Sequence, residues 1–119
     1  METVVMEQFS TRQNKLSRLI QREMADILLQ LNRSKYQGKL ITVSIVRVTK
    51  DASIARIYLS IYPSEFAQKI LSEIKMNGKA IRGELGRRIG KSVRIIPELE
   101  FYIDDSLDYI EHIDDLLHS

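Results

Sequence analysis

The chain has 119 residues, of which 44% are apolar and 29% charged, and it contains no cysteine. This length and composition predict a single globular domain and exclude disulfides and thiolate metal sites. No apolar run approaches the ~20 residues of a membrane helix, and residues 1–10 lack a signal-peptide pattern, so we expect a cytoplasmic protein without membrane partners and with a flexible N-terminus.

The net charge of +2 conceals an uneven distribution. Residues 12–39 and 75–94 each contain seven Lys or Arg, whereas the chain from residue 98 onwards has eight acids and neither Lys nor Arg. This asymmetry predicts a polyanion-binding body with an acidic tail. The alternative is that these charges merely solvate helix faces.

The first predicted helix runs from Thr11 to Leu31, and Ser10 or Thr11 can cap it. Its apolar residues share one face at helical spacing: Leu16, Leu19, Ile20, Ile27, Leu28 and Leu31. Residues 32–39 are mostly polar and include Gly38, so they are predicted to form a loop.

Three cations, Lys15, Arg18 and Arg22, fall on the opposite face of this helix. Arg22 is spaced to pair with Asp26 one turn later, so part of this face is expected to be internally paired.

Two stretches rich in β-branched residues, Ile41 to Thr49 and Ser53 to Tyr62, are predicted to form an antiparallel hairpin closed by residues 50–52. The second stretch alternates strictly, which predicts one buried and one exposed face. The first changes phase between Ile45 and Val46, and a β-bulge would account for that change.

Pro63 ends the hairpin, and Ser64 can cap a following helix. Its predicted apolar face consists of Phe66, Ala67, Ile70, Leu71 and Ile74. The pattern is interrupted at Asn77 and Gly78 and resumes as far as Gly90, a typical helix stop. We predict two helices that meet at a kink; the alternative is one long helix that tolerates a glycine.

A third strand is predicted from Val93 to Ile103, in which Pro97 marks a bulge, a strand start or an edge. An acidic helix over residues 104–119 is predicted to end the domain that begins at residue 11. Its apolar residues are Leu107, Ile110, Ile113, Leu116 and Leu117. The order of elements indicates an α+β fold with the helices packed on one face of a small mixed sheet.

The sequence contains no recognisable catalytic motif. His112 and His118 are six residues apart, so a helix would point them in different directions, and we interpret them as surface residues. The adjacent Asp104 and Asp105 are interpreted as caps of the last helix. Because nucleophile motifs, phosphate loops and metal-ligand spacings are missing, we predict a protein that is not an enzyme and has no cofactor or metal.

The two helices that meet at the kink are the predicted RNA-binding element, because residues 76–91 combine glycines with cations. Glycines let a nucleic-acid strand approach the backbone, and a helix start favours a phosphate. The predicted RNA-binding residues are Asn77, Gly78, Lys79, Arg82, Arg87, Arg88, Lys91 and Arg94, together with Lys15, Arg18 and Arg22. Ordinary packing of a lysine-bearing helix pair is the alternative.

Four segments carry a more specific resemblance: RLIQREMADILLQL from Arg18, ITVSIVRVTKDASIARIYLSIY from Ile41, AIRGELGRRI from Ala80 and PELEFYIDDS from Pro97. They resemble the bacterial ribosome-binding factor A family, and the resemblance extends over residues 12–117. The resemblance implies a type II KH-like fold, α-β-β-α-α-β with a three-stranded mixed sheet. That family usually has Ala-x-Gly before its third helix, whereas here the glycine of residues 77–79 lies one position early.

The resemblance further implies a late-acting assembly factor that supports growth in the cold. Such a factor binds the small (30S) ribosomal subunit and its 16S rRNA, assists processing of the 5′ end of that rRNA and leaves before translation. We expect a monomer, with ribosomal proteins as further candidate partners. Two alternatives stay open: a KH-like module acting on another RNA, and a protein-interaction domain.

Overall fold

The computed structural model of the protein describes residues 10–104. Its elements are α1 (Thr11–Lys35), β1 (Leu40–Val48), β2 (Ile54–Tyr62), a short 3-10 helix (Ser64–Phe66), α2 (Ala67–Met76), α3 (Gly78–Ile89) and β3 (Glu98–Ile103). This is the predicted α-β-β-α-α-β order. No helix in the described part of the chain is long and apolar enough to cross a membrane. The predicted helix at 104–119, with both histidines and Asp105, lies outside the described residues except for Asp104.

A capping box begins α1. The Ser10 hydroxyl accepts from the Gln13 backbone N–H at 3.1 Å, and the Gln13 side chain accepts from the Ser10 N–H at 2.9 Å. The Gln13 amide also donates to the Val48 carbonyl at 3.0 Å, which ties the start of α1 to the end of β1. The helix continues one turn beyond the predicted end, because basic residues favour a helix C-terminus and no breaker precedes Gly38.

The sheet has the order β1-β2-β3, with β1 antiparallel and β3 parallel to β2. A bulge interrupts β1 as predicted, but it lies before the predicted change of phase between Ile45 and Val46. The register shifts between Val43 and Ile45, so Val43 and Val46 are buried and Ile45 is exposed. Gln21 of α1 donates to the Ser44 carbonyl at 3.4 Å, so the helix satisfies a backbone group at the bulge.

The three helices pack on one face of the sheet. The core there contains fully buried side chains from every layer: Ile20, Met24, Leu28, Ile57, Leu59, Ile74, Leu85 and Ile89. The described part of the chain places no helix on the opposite face, which carries a stacked pair, Tyr58 and Tyr102, with ring centroids 5.2 Å apart.

The predicted kink is confirmed, since Asn77 alone separates α2 from α3. The predicted start of the third strand at Val93 is wrong: β3 begins at Glu98. Pro97 has no N–H to donate to a β-ladder. The Arg82 guanidinium donates to the carbonyls of Ile96 and Pro97 at 2.6 and 2.8 Å. The residues before β3 are therefore held by a side chain of α3 rather than by β2.

Candidate nucleic-acid interface

The structure places most of the predicted RNA-binding residues in two cavities and one ion cluster. The first cavity, here called the kink groove, has a volume of about 680 Å³ and runs beside α3. It is lined by Gly78, Lys79, Arg82, Gly83, Gly86, Ile96, Glu98 and Leu99. Lys79, Arg82 and Gly86 thus lie along one flank of α3, with the approach to β3 as the opposite wall.

Two glycines leave the backbone of α3 bare in this groove. A Cβ added at Gly78 or Gly83 would meet nothing within 4 Å, and neither residue has a positive φ. Glycine in a helix costs about 1 kcal/mol relative to alanine. Since neither packing nor backbone conformation requires glycine at these two positions, they are free to serve contact with a ligand.

The cations of the kink groove differ in how far they are already engaged in intramolecular contacts. Arg82 donates to the Ile96 and Pro97 carbonyls and lies 3.6 Å from a Glu98 oxygen, so its main contacts are intramolecular. Lys79 is exposed and has no hydrogen-bond or ion-pair partner among the described residues. Asn77 uses its amide to donate to the Glu73 carbonyl at 3.0 Å, which closes the end of α2. Lys79 is therefore the cation available to a ligand here.

The second group is a charge-balanced cluster between α1 and α3, here called the ion cluster. It contains three arginines and three acids: Arg22, Arg87, Arg88, Glu23, Asp26 and Glu84. The balance removes the net positive charge that the arginines alone predicted for this surface.

Arg88 is the centre of the ion cluster, with only 16% of its side chain exposed. It donates to Asp26 at 2.7 Å, to Glu84 at 2.9 Å and to Glu23 at 3.3 Å, and these hydrogen bonds raise its pKa. Hydrogen bonds from Arg87 and Arg88 lower the pKa of Glu84 to about 2.

The predicted Arg22–Asp26 pair is wrong. Within residues 10–104, Arg22 pairs with Glu23 at 3.6 Å, and Asp26 accepts from Arg88 instead. The α3 side chain reaches Asp26 because the two helices pack together.

The third group surrounds a cavity of about 720 Å³, here called the basic cavity, at the start of α1. Its four cations are Arg12, Lys15, Lys50 and Arg94, and its apolar lining consists of Leu16, Leu19, Val48, Ala52, Val93 and Ile95. Sequence reasoning singled out Lys15 and Arg94 but missed the other two. Lys50 lies in the hairpin turn, and a cation in a turn carries no periodic signal. The predicted Arg18 and Lys91 are exposed and line neither cavity.

Comparisons with known sequences identify relatives along nearly the whole chain. A family model described as Ribosome-binding factor A matches residues 12–117. Ribosome-binding factor A of Cytophaga hutchinsonii is 49% identical over 108 residues, which cover 91% of this chain and 81% of that protein. The Flavobacterium psychrophilum protein of the same name is 44% identical over 109 residues, covering 91% of this chain and 84% of that protein.

Known structures agree with this match. The crystal structure of ribosome-binding factor A from Thermus thermophilus has a TM-score of 0.64 at 25% identity, covering 76% of this chain and 94% of that one. A homology model of the Thermus thermophilus factor, fitted into a cryo-EM map of its complex with the 30S subunit, has a TM-score of 0.58 at 26% identity. That alignment covers 73% of this chain and 89% of the other. The resemblance predicted from the four segments is confirmed.

Proposed function

The chain belongs to the ribosome-binding factor A family, and we propose that it binds the small ribosomal subunit through 16S rRNA and assists late maturation of that subunit. The proposal includes help in processing the 5′ end of the rRNA and release before translation. The protein acts as a cytoplasmic monomer that catalyses no reaction and uses no cofactor, and it supports growth in the cold. Support for the partner comes from the Thermus factor, whose fitted coordinates belong to a 30S complex.

The observation that carries the RNA contact is the bare backbone of the kink groove. Gly78 and Gly83 leave room for a strand, and beside them Lys79 provides a cation that has no ion-pair partner within residues 10–104. A phosphate of the strand would lie at the beginning of α3, where the helix dipole favours negative charge. The remaining predicted cations outside the ion cluster add attraction that does not depend on sequence.

The contacts of four predicted cations are mainly intramolecular: Arg22, Arg82, Arg87 and Arg88. Their contact with RNA is part of the proposal. Substituting them would disturb the fold and the interface together. An informative test therefore uses Lys79.

The experiment is co-sedimentation of the protein with small subunits, large subunits and whole ribosomes over a salt series. We expect selective, salt-sensitive pelleting with free small subunits. Lys79→Gln should flatten the dependence of log K on log salt by about 0.7 to 0.9, the value for one phosphate contact. Lys69→Gln is the matched control, because Lys69 is exposed on α2 and lines neither cavity.

Two outcomes would contradict the proposal. Equal pelleting with all particles would leave only a KH-like module that binds RNA in general. Complexes that survive RNase treatment and do not respond to Lys79→Gln would instead indicate a protein-interaction domain.

A further inference from the structure

We propose that the basic cavity is a second RNA site, separate from the kink groove, which holds an unpaired nucleotide of a single-stranded segment. The base lies on the apolar floor, and Arg12, Lys15, Lys50 and Arg94 hold the neighbouring phosphates. This inference rests on the proposed function only in taking RNA as the ligand.

The charge of the cavity selects an anionic ligand. Its four cations are exposed, and none has a hydrogen-bond or ion-pair partner within the described chain. Among the described residues of the lining, Asp51 is the one acid. It accepts from the Thr49 hydroxyl at 2.9 Å and the Ser53 N–H at 3.0 Å, so it is engaged in the hairpin turn. The lining thus carries a net charge of +3.

One of these cations, Arg12, lies at a helix position where positive charge is unfavourable. Arg12 lies in the first turn of α1, which contains no acidic residue. The positive end of the helix dipole repels a cation there, and an acidic residue would be preferred. A position that breaks a local rule without a compensating contact points to function rather than folding.

The floor of the cavity indicates an unpaired base rather than a duplex. Val48 is buried below the cavity, Leu16, Leu19 and Val93 are half-buried, and Ile95 is 61% exposed. In a duplex the bases are stacked inside and present only phosphates and groove edges, so this apolar surface would stay uncovered. A volume of about 720 Å³ falls in the size range of small-ligand sites, which suits a splayed-out nucleotide.

The geometry also explains how the site forms. The Gln13–Val48 hydrogen bond holds the start of α1 against the end of β1, and therefore against the hairpin turn that carries Lys50. Arg82 fixes the segment before β3, which carries Arg94, through the carbonyls of Ile96 and Pro97. The four cations thus come from three separate parts of the chain that are each anchored.

The experiment measures fluorescence anisotropy of a labelled eight-nucleotide single-stranded RNA and of a short RNA duplex with the full chain. We expect the single strand to bind more tightly. The double variant Arg12→Gln/Arg94→Gln removes two phosphate contacts, so at 0.1 M salt it should bind the single strand about 25-fold more weakly, with a salt slope reduced by about 1.4. Its melting temperature should not fall, because Arg12 is unfavourable where it stands.

Controls separate this site from general charge effects and test the floor. Arg33→Gln/Lys69→Gln removes two exposed cations that line neither cavity and should leave the affinity within about twofold of wild type. Ile95→Ser should weaken binding without changing the salt slope. Leu40 is also an exposed apolar residue but lies outside both cavities, so Leu40→Ser should change neither the affinity nor the salt slope.

Several results would overturn the proposal. One is an equal loss from the two double variants; another is tighter binding of the duplex. The acidic residues 105–119 are the competing occupant: if the cavity variants leave RNA affinity unchanged while Asp114→Asn/Asp115→Asn raises it, the cavity does not hold RNA and the proposal fails. Small-subunit pelleting that responds only to Lys79→Gln, with oligonucleotide affinity unchanged in the cavity variants, would sink this site and leave the proposed function standing.

Discussion

Gly83→Ala should raise the stability of the fold and weaken its binding to small subunits. Gly83 lies in the middle of α3, is exposed, and would gain a Cβ that meets no atom within 4 Å. Alanine is better than glycine in a helix by about 1 kcal/mol, so the free energy of unfolding should rise by that amount. For a domain of this size that corresponds to a melting temperature higher by about 4 °C.

The same methyl group would project into the kink groove, where a strand is proposed to lie against the backbone. One extra methyl in a closely packed contact costs about 1–3 kcal/mol, so the Kd for small subunits should increase by about 5-fold to 150-fold. Thermal unfolding followed by circular dichroism and co-sedimentation with small subunits measure the two effects independently. The expected result is a protein that is more stable and binds less tightly.

Ser72→Ala is the control, because Ser72 is exposed on α2 outside both cavities and its replacement improves helix propensity by about 0.5 kcal/mol. It should raise the melting temperature and leave subunit binding unchanged. If Gly83→Ala stabilises the fold and binds subunits as tightly as wild type, the backbone of α3 does not touch RNA and the reasoning from the glycines is refuted.

Three further predictions concern the contacts that hold the site in place. Arg88→Met should lower the free energy of unfolding by about 2 kcal/mol, because three charge-assisted hydrogen bonds are lost; urea denaturation measures it, and an unchanged midpoint would show that the ion cluster adds nothing. Since the folded pKa of Glu84 is lowered to about 2 from 4.5, its contribution is present above pH 4.5 and is lost as the pH falls toward 2; Glu84→Gln should flatten the urea midpoint over that window, and an identical pH profile would contradict the pairing. Arg82→Lys keeps the charge but loses the forked contact with two carbonyls, so amide exchange of Glu98, whose N–H donates to the Ser53 carbonyl at 2.9 Å, should accelerate; unchanged protection there would mean that the start of β3 does not depend on this arginine.

The elements of this protein could be predicted from sequence wherever the signal is local. Apolar spacing and the Ser10 cap predict α1, the change of phase predicts a bulge in β1 close to its observed position, and Asn77 with Gly78 predicts the break between α2 and α3. Each of these signals lies within a few residues of its effect, because propensities, caps and turns depend on near neighbours. One wall of the kink groove has the same local origin, because Lys79, Arg82 and Gly86 share one flank of a single helix. The opposite wall comes from the approach to β3, which no local signal predicts.

Which acid each surface cation pairs with is determined only by the tertiary structure. Arg88 meets Asp26 and Glu23 across 62 and 65 residues of chain, and those contacts turn a predicted basic face into a neutral cluster. The basic cavity likewise joins residues of α1, the hairpin turn and the segment before β3. Charge pairing depends on a few ångströms between side chains, and a one-dimensional pattern records the number of cations but not which acid each one meets.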